Sequence, residues 1–182
     1  MTETVTIYTI GHSNASAAKI IELLKQYEIE VLVDVRSSPY SQYNPQFNRE
    51  SFQGALEQSG IKYRFAGDYL GGRPKDPTCY KEKQLPQGKA DYLQLVDYPA
   101  VMTKDWFKKG LNHLIDISHQ QRTAIMCSEE DPATCHRHHL VGKSLMAQDI
   151  KVVHIRKDGN LQNALSIRDL NNDPPAKQLR LL

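Results

Sequence analysis

The chain is poor in four things. It has no apolar run near the ~18 residues that a membrane-crossing helix needs. It has no internal repeat and no low-complexity segment. It has little net charge: 23 Lys and Arg against 21 Asp and Glu leave a formal +2, which does not announce a nucleic-acid binder. Its three cysteines, an odd number, suit a reducing compartment better than a disulfide framework. The first residues, MTETVTIYTIGHS, lack the basic stretch and long apolar core of a signal peptide, so the expectation is a cytoplasmic protein with no membrane partner. What remains is ordinary globular material. At 182 residues, with 40% hydrophobic and 24% charged residues, the chain reads as a single domain over 1–182 with a proper core.

Strand-like and helix-like stretches alternate along it. Residues 5–10 are β-prone and end at Gly11; Ser13 or Asn14 can cap a helix bearing Ile20, Ile21, Leu24 and Tyr27 on one face. Residues 31–35 are apolar apart from Asp34, which suggests a sheet covered on both faces. Asn48 opens a helix with Phe52, Ala55 and Leu56 inward and Gly60 beyond its end; residues 61–65 make a third strand. Residues 67–88 read as a long irregular loop, and long loops in compact domains tend to be functional. Helical pattern returns at 90–96 and 104–119, a fourth strand spans 123–127, and a helix is expected over 132–147 with Asp131 as cap and Pro132 at its first position. A fifth strand at 151–155 and an Asp158-Gly159 turn into 161–165 close the pattern, and the tail from 171 reads as loose. The alternation predicts an α/β fold: a mainly parallel central sheet flanked by helices, with a C-terminal hairpin.

Parallel sheets gather functional residues at the carboxyl ends of their strands. Three such ends carry polar groups: His12 and Ser13 after the first strand, Asp34, Arg36 and Ser37 at the second, and Cys127 at the fourth. Their convergence is the main argument for a site. The segment MCSEEDPATCHRHHL, 126–140, is the densest in reactive groups. Cys127, Cys135 and His136 are candidates for covalent or acid/base work, with His12 and Asp34 beside them. Cys135 is expected in the first helical turns, where a helix N-terminus favours thiolate. The acidic run at 129–131 argues against a phosphate cradle built on Cys127. Cys127, Cys135 and His139, the last two on one helix face, form a possible ligand set for a zinc or iron ion. His138 is expected to face solvent. Arg36, Arg73 and Arg137 can hold an anion, and Gly71 and Gly72 can let backbone approach it.

Four blocks then carry a resemblance: TIGHS at 9–13, DVRSSPYS at 34–41, YLGG at 69–72 and MCSEEDPATCHR at 126–137. In this order they resemble the domain of unknown function 488 family, whose members are uncharacterised, soluble, compact α/β proteins. The resemblance implies fold and site location, not a reaction. It points to His12, Asp34, Arg36, Gly71, Gly72, Cys127, Cys135, His136 and Arg137. The function expected is an enzyme acting on a small phosphorylated or nucleotide-like ligand, or on a base in nucleic acid. The alternative is a metal- or nucleic-acid-binding accessory protein without turnover. Thiol redox chemistry between Cys127 and Cys135 is a third reading, weakened because they lack the two-residue spacing of a usual redox pair.

Overall fold

The computed structural model describes residues 4–168; the expected loose tail lies outside them. Strand β1 is Thr6–Gly11, followed by helix α1, Ala17–Gln26, and strand β2, Val31–Asp34. Helix α2, Arg49–Gln58, leads to strand β3, Lys62–Phe65. Three short helices, α3 (Gly67–Leu70), α4 (Tyr92–Leu95) and α5 (Tyr98–Met102), precede the long α6, Asp105–Gln120. Strand β4 is Thr123–Cys127. A π-helical segment, Arg137–Gly142, runs into α7, Lys143–Met146, before strands β5, Lys151–Ile155, and β6, Leu161–Asn163.

The strands form one sheet in the order β3-β2-β4-β1-β5-β6. All neighbours are parallel except β6, which pairs antiparallel with β5 across the Asp158-Gly159 turn. Alternate strand residues feed two cores. On one face Ile7, Val33 and Ile125 pack with Phe107, Leu111 and Leu114 of α6 and with Leu140 and Leu145. On the other, Ile10, Leu32 and Met126 pack with Ile20, Leu23 and Leu24 of α1 and with Phe52 and Leu56 of α2. This double cover is why every residue of β2 and β4 is buried and why both read as almost unbroken apolar runs. No helix among the described residues is long and apolar enough to cross a membrane.

Three local expectations are corrected. Ser16, not Ser13 or Asn14, caps α1 by accepting the Lys19 N–H, and Leu23 is buried on that helix where Ile21 is only partly so. Ser13 instead takes a positive φ of 45° and donates its N–H to the Ser128 carbonyl, tying the loop after β1 to the loop after β4. The helix expected over 132–147 is broken. Asp131 does cap Pro132–Thr134, but that is a single 3₁₀ turn, and Cys135 after it is extended at φ −133°, ψ 140°. The excursion after β3 is longer than 67–88: an isolated bridge joins Tyr80 to Val96, and the helix expected at 90–96 shrinks to α4.

The register sets up the site. Gly11 of β1 lies beside Cys127 of β4, and Asp34 of β2 beside Met126, so these three strands end together on one edge.

Candidate active site

A cavity of about 630 Å³ opens at this edge. The end of β2 contributes Arg36 to its wall, and the excursion contributes Arg73 and Tyr92. Tyr98, at the start of α5, and Glu129 add to the polar lining, and Cys127, Cys135 and His136 belong to the same wall.

The two thiols and the imidazole form a tight group: one ligand atom from each lies within 4.8 Å of the others. Cys127 is held by β4, and Cys135 by the extended residue between the 3₁₀ turn and the π-helical segment. His136 Nε2 is 3.0 Å from the Val35 carbonyl, so it carries the hydrogen and donates it. The other nitrogen, Nδ1, then faces the sulfurs, at 3.5 Å from Cys127 Sγ and 3.9 Å from Cys135 Sγ. Gly72 fits against this ring; a Cβ there would stand 2.7 Å from His136 Cγ. The imidazole is thus fixed from two sides.

The two sulfurs differ electrostatically. The single Cys127 S–H has two acceptors in reach, Glu129 Oε2 at 3.3 Å and Cys135, and the contact with Cys135, with burial second, holds its pKa well above the ordinary thiol value. Burial alone would raise Cys135 too. The hydrogen bond from Cys127, the Arg137 charge and His136 outweigh it and hold this thiol well below its ordinary value. The backbone N–H of Arg137 also donates to Cys135 Sγ at 3.4 Å. Burial raises the Glu129 carboxyl, helped by the Cys135 charge. Thiolate character therefore gathers on Cys135, although that residue stands before the helix rather than within it.

Asp34 and Arg36 form a buried ion pair, 2.7 Å at its closest. Asp34 Oδ1 accepts from the Arg36 backbone N–H and Nε, and Oδ2 from Arg36 Nη2 and from the Tyr63 hydroxyl at 2.6 Å. A carboxylate so fully engaged orients Arg36 and is not placed for proton transfer. Arg36 Nη2 also donates to the Phe47 carbonyl. His12 donates Nδ1–H to the Ser13 carbonyl, leaving Nε2 to accept from Arg36 Nη1 at 3.2 Å. Its ring stacks on Phe47, and burial pushes its pKa down to about 4. His12 and Asp34, both expected as catalytic, hold Arg36 between them, and neither is part of the cavity wall.

Other candidates are placed differently again. Arg137 is fully buried. It donates to Thr9 Oγ1 and to the carbonyls of Glu129 and Glu130, and it is not part of the cavity wall. His138 is buried, not in solvent, with Nδ1 at 3.1 Å from His154 Nε2. His139 Nε2 is turned to the Ala133 carbonyl at 2.6 Å, and the donor group is completed by His136 in its stead. The break in helical phase at Cys135 accompanies this exchange. Ser13 is exposed and outside the wall. Ser37 lines the cavity but spends its Oγ on the Arg73 N–H at 2.9 Å, and Gly71 packs against Ser37. The glycine pair thus serves close packing of the protein on itself.

Tyr92, Tyr98 and Glu129 were not among the expected site residues. Burial raises the Tyr98 hydroxyl, and the Arg73 guanidinium lies 4.6 Å over the Tyr92 ring. One signal for Tyr98 was available: Asp97 caps α5 with a proline in the first turn, the same Asp and Pro pattern that Asp131 and Pro132 show. Nothing in the sequence links either tyrosine to the cysteines. A model of the family described as Domain of unknown function DUF488 matches residues 16–143. No curated protein and no solved structure matches the chain.

Proposed function

We propose, for a chain that belongs to the Domain of unknown function DUF488 family, that it is an enzyme acting on a small anionic substrate, phosphorylated or nucleotide-like. One observation carries this reading: two thiols and an imidazole share the wall of one cavity with Arg36 and Arg73. An anion seated on the arginines would bring its reacting atom to a sulfur and imidazole centre capable of nucleophilic or acid/base work. Four of the five Arg36 N–H groups are held by Asp34, Phe47 and His12, so its charge is fixed in place before a ligand arrives. Arg73 is exposed by comparison, and Tyr92 beneath it offers a ring face for a base.

Calorimetry with inorganic phosphate and with mononucleotides tests the reading. Arg73→Ala should weaken binding of the best ligand about tenfold, the value of one exposed charge-assisted contact. If no such anion binds, or if Cys127→Ala, Cys135→Ala and His136→Ala all leave turnover of every screened phosphorylated compound unchanged, the reading is wrong.

A second reading, a nucleic-acid-binding accessory protein, is favoured by the exposed basic residues of the excursion, Arg73, Lys75, Lys81, Lys83 and Lys89. It requires affinity for single-stranded oligonucleotides that falls steeply with salt; a flat salt response rejects it.

A further inference from the structure

We propose that Cys127, Cys135 and His136 are the protein ligands of a zinc-type divalent ion whose fourth coordination position opens into the cavity. The proposal rests on reading the cavity as a substrate site and gives that site a metal. Three observations carry it.

The first is the donor set. Two sulfurs and an imidazole nitrogen suit a borderline-soft ion, and three protein ligands with one open position is the arrangement of catalytic rather than structural zinc. The second is spacing. A tetrahedral ion with Zn–S of about 2.3 Å and Zn–N of about 2.0–2.1 Å has S···N edges of about 3.6 Å. The Nδ1 to sulfur distances here are 3.5 and 3.9 Å, and all three donor atoms fall within 4.8 Å. The group needs little movement to close on an ion. The third is orientation. The ligand imidazole donates its remote N–H to a backbone carbonyl, Val35, the outer-shell contact that fixes a metal-binding tautomer. Gly72 holds the same ring from the other side. The Arg137 N–H on Cys135 Sγ gives one thiolate a further partner.

Loading is an exchange of protons for the ion, with no electron transferred. Cys127 and Cys135 enter as thiolates, any protons they and His136 Nδ1 carried leave to solvent, and His136 then supplies its neutral Nδ1 lone pair. His139 has no part, because its Nε2 is turned to Ala133. Glu129 stands outside the donor group but beside it, where a carboxylate can accept a proton from whatever occupies the open position.

Cobalt serves as the probe. The full chain, stripped with chelator and titrated with Co²⁺, should bind one equivalent with thiolate-to-cobalt charge-transfer absorption and tetrahedral d–d bands, and Zn²⁺ should displace it. Cys127→Ser and Cys135→Ser should each weaken binding at least about a hundredfold, and Gly72→Ala, which acts only through the His136 ring, about tenfold. His139→Gln should leave binding unchanged. Absence of the charge-transfer band, or undiminished cobalt affinity in either cysteine variant, overturns the proposal. Should a cysteine variant fail to fold, the wild-type chain decides: Zn²⁺ must protect Cys127 and Cys135 from alkylation, read by peptide mass, and lack of protection overturns it equally. Phosphate and mononucleotide binding to the stripped chain is measured alongside. If it persists while the metal arms fail, the cavity remains an anion site and the metal alone is rejected.

Discussion

Two glycines predict opposite outcomes for the same substitution. Gly11, at the end of β1, lies under the loop that follows β4. A Cβ there would meet the Glu129 carbonyl oxygen at 1.7 Å and its carbon at 2.5 Å, and both are backbone atoms that cannot rotate away. Gly11→Ala should therefore cost at least about 3 kcal/mol and displace the Glu129 loop. Gly54 sits inside α2 with nothing within 4 Å of a built Cβ. Gly54→Ala should stabilise by about 0.5–1 kcal/mol, because alanine loses less backbone entropy in a helix. Urea unfolding of both variants checks the pair; equal effects would show that the approach of Glu129 to Gly11 does not constrain the fold. The need for glycine at 11 was half legible: the TIGHS block marked the place, but the atom that excludes a side chain arrives from residue 129.

The segment after β4 makes the same point for a whole element. Its residue types marked it as the centre of a site, and Cys127, Cys135 and His136 do meet in the cavity. The roles within it were less legible, because helical spacing was extended across Cys135, where the backbone is extended instead. With that one break, His136 takes the place of His139 and Arg137 turns inward. Arg137 reads from sequence as an anion binder; its actual partners are Thr9, 128 residues away, and two carbonyls of its own loop. Arg137→Met keeps length but takes the Arg137 donor from the Glu129 and Glu130 carbonyls, while Thr9 keeps His154 as a partner. It should cost about 3 kcal/mol, as breaking a buried charged network does, and should loosen the Glu129 loop. Arg156 is the control. It pairs with Glu130 at 2.9 Å but is 29% exposed, so Arg156→Ala should cost no more than about 1 kcal/mol. Chemical denaturation of the two variants separates the cases, and comparable losses would refute the structural role given to Arg137.

Across the molecule, the order of elements and both faces of the sheet followed from apolar patterning, because burial on two sides leaves a signal in every residue of β2 and β4. Buried polar residues leave no such signal, and here they set the response to acid. Burial pushes His12 down to about 4 and His154 down to about 3. His154 lies between Thr9 and His138, and Arg137, which donates to Thr9, keeps positive charge close to it. Both histidines stay neutral in the folded chain where the unfolded chain, near 6.5, has taken up a proton. The unfolded state therefore binds more protons below pH 6.5, and stability must fall as pH falls. Each histidine contributes a slope of about 1.4 kcal/mol per pH unit until its folded pKa is reached. His136 has the opposite shift, so its contribution is fully present below 6.5 and is lost only as pH rises above that value. Glu129, held up mainly by burial, takes up its proton earlier than in the unfolded chain and so opposes the acid slope. The net expectation for the metal-free chain is a stability maximum near pH 6.5 and a loss of about 2 kcal/mol by pH 5.5. Urea unfolding at pH 6.5, 6.0 and 5.5 measures it, and His12→Gln should roughly halve the slope. A wild-type chain equally stable at all three values would mean that neither histidine is held neutral by the fold.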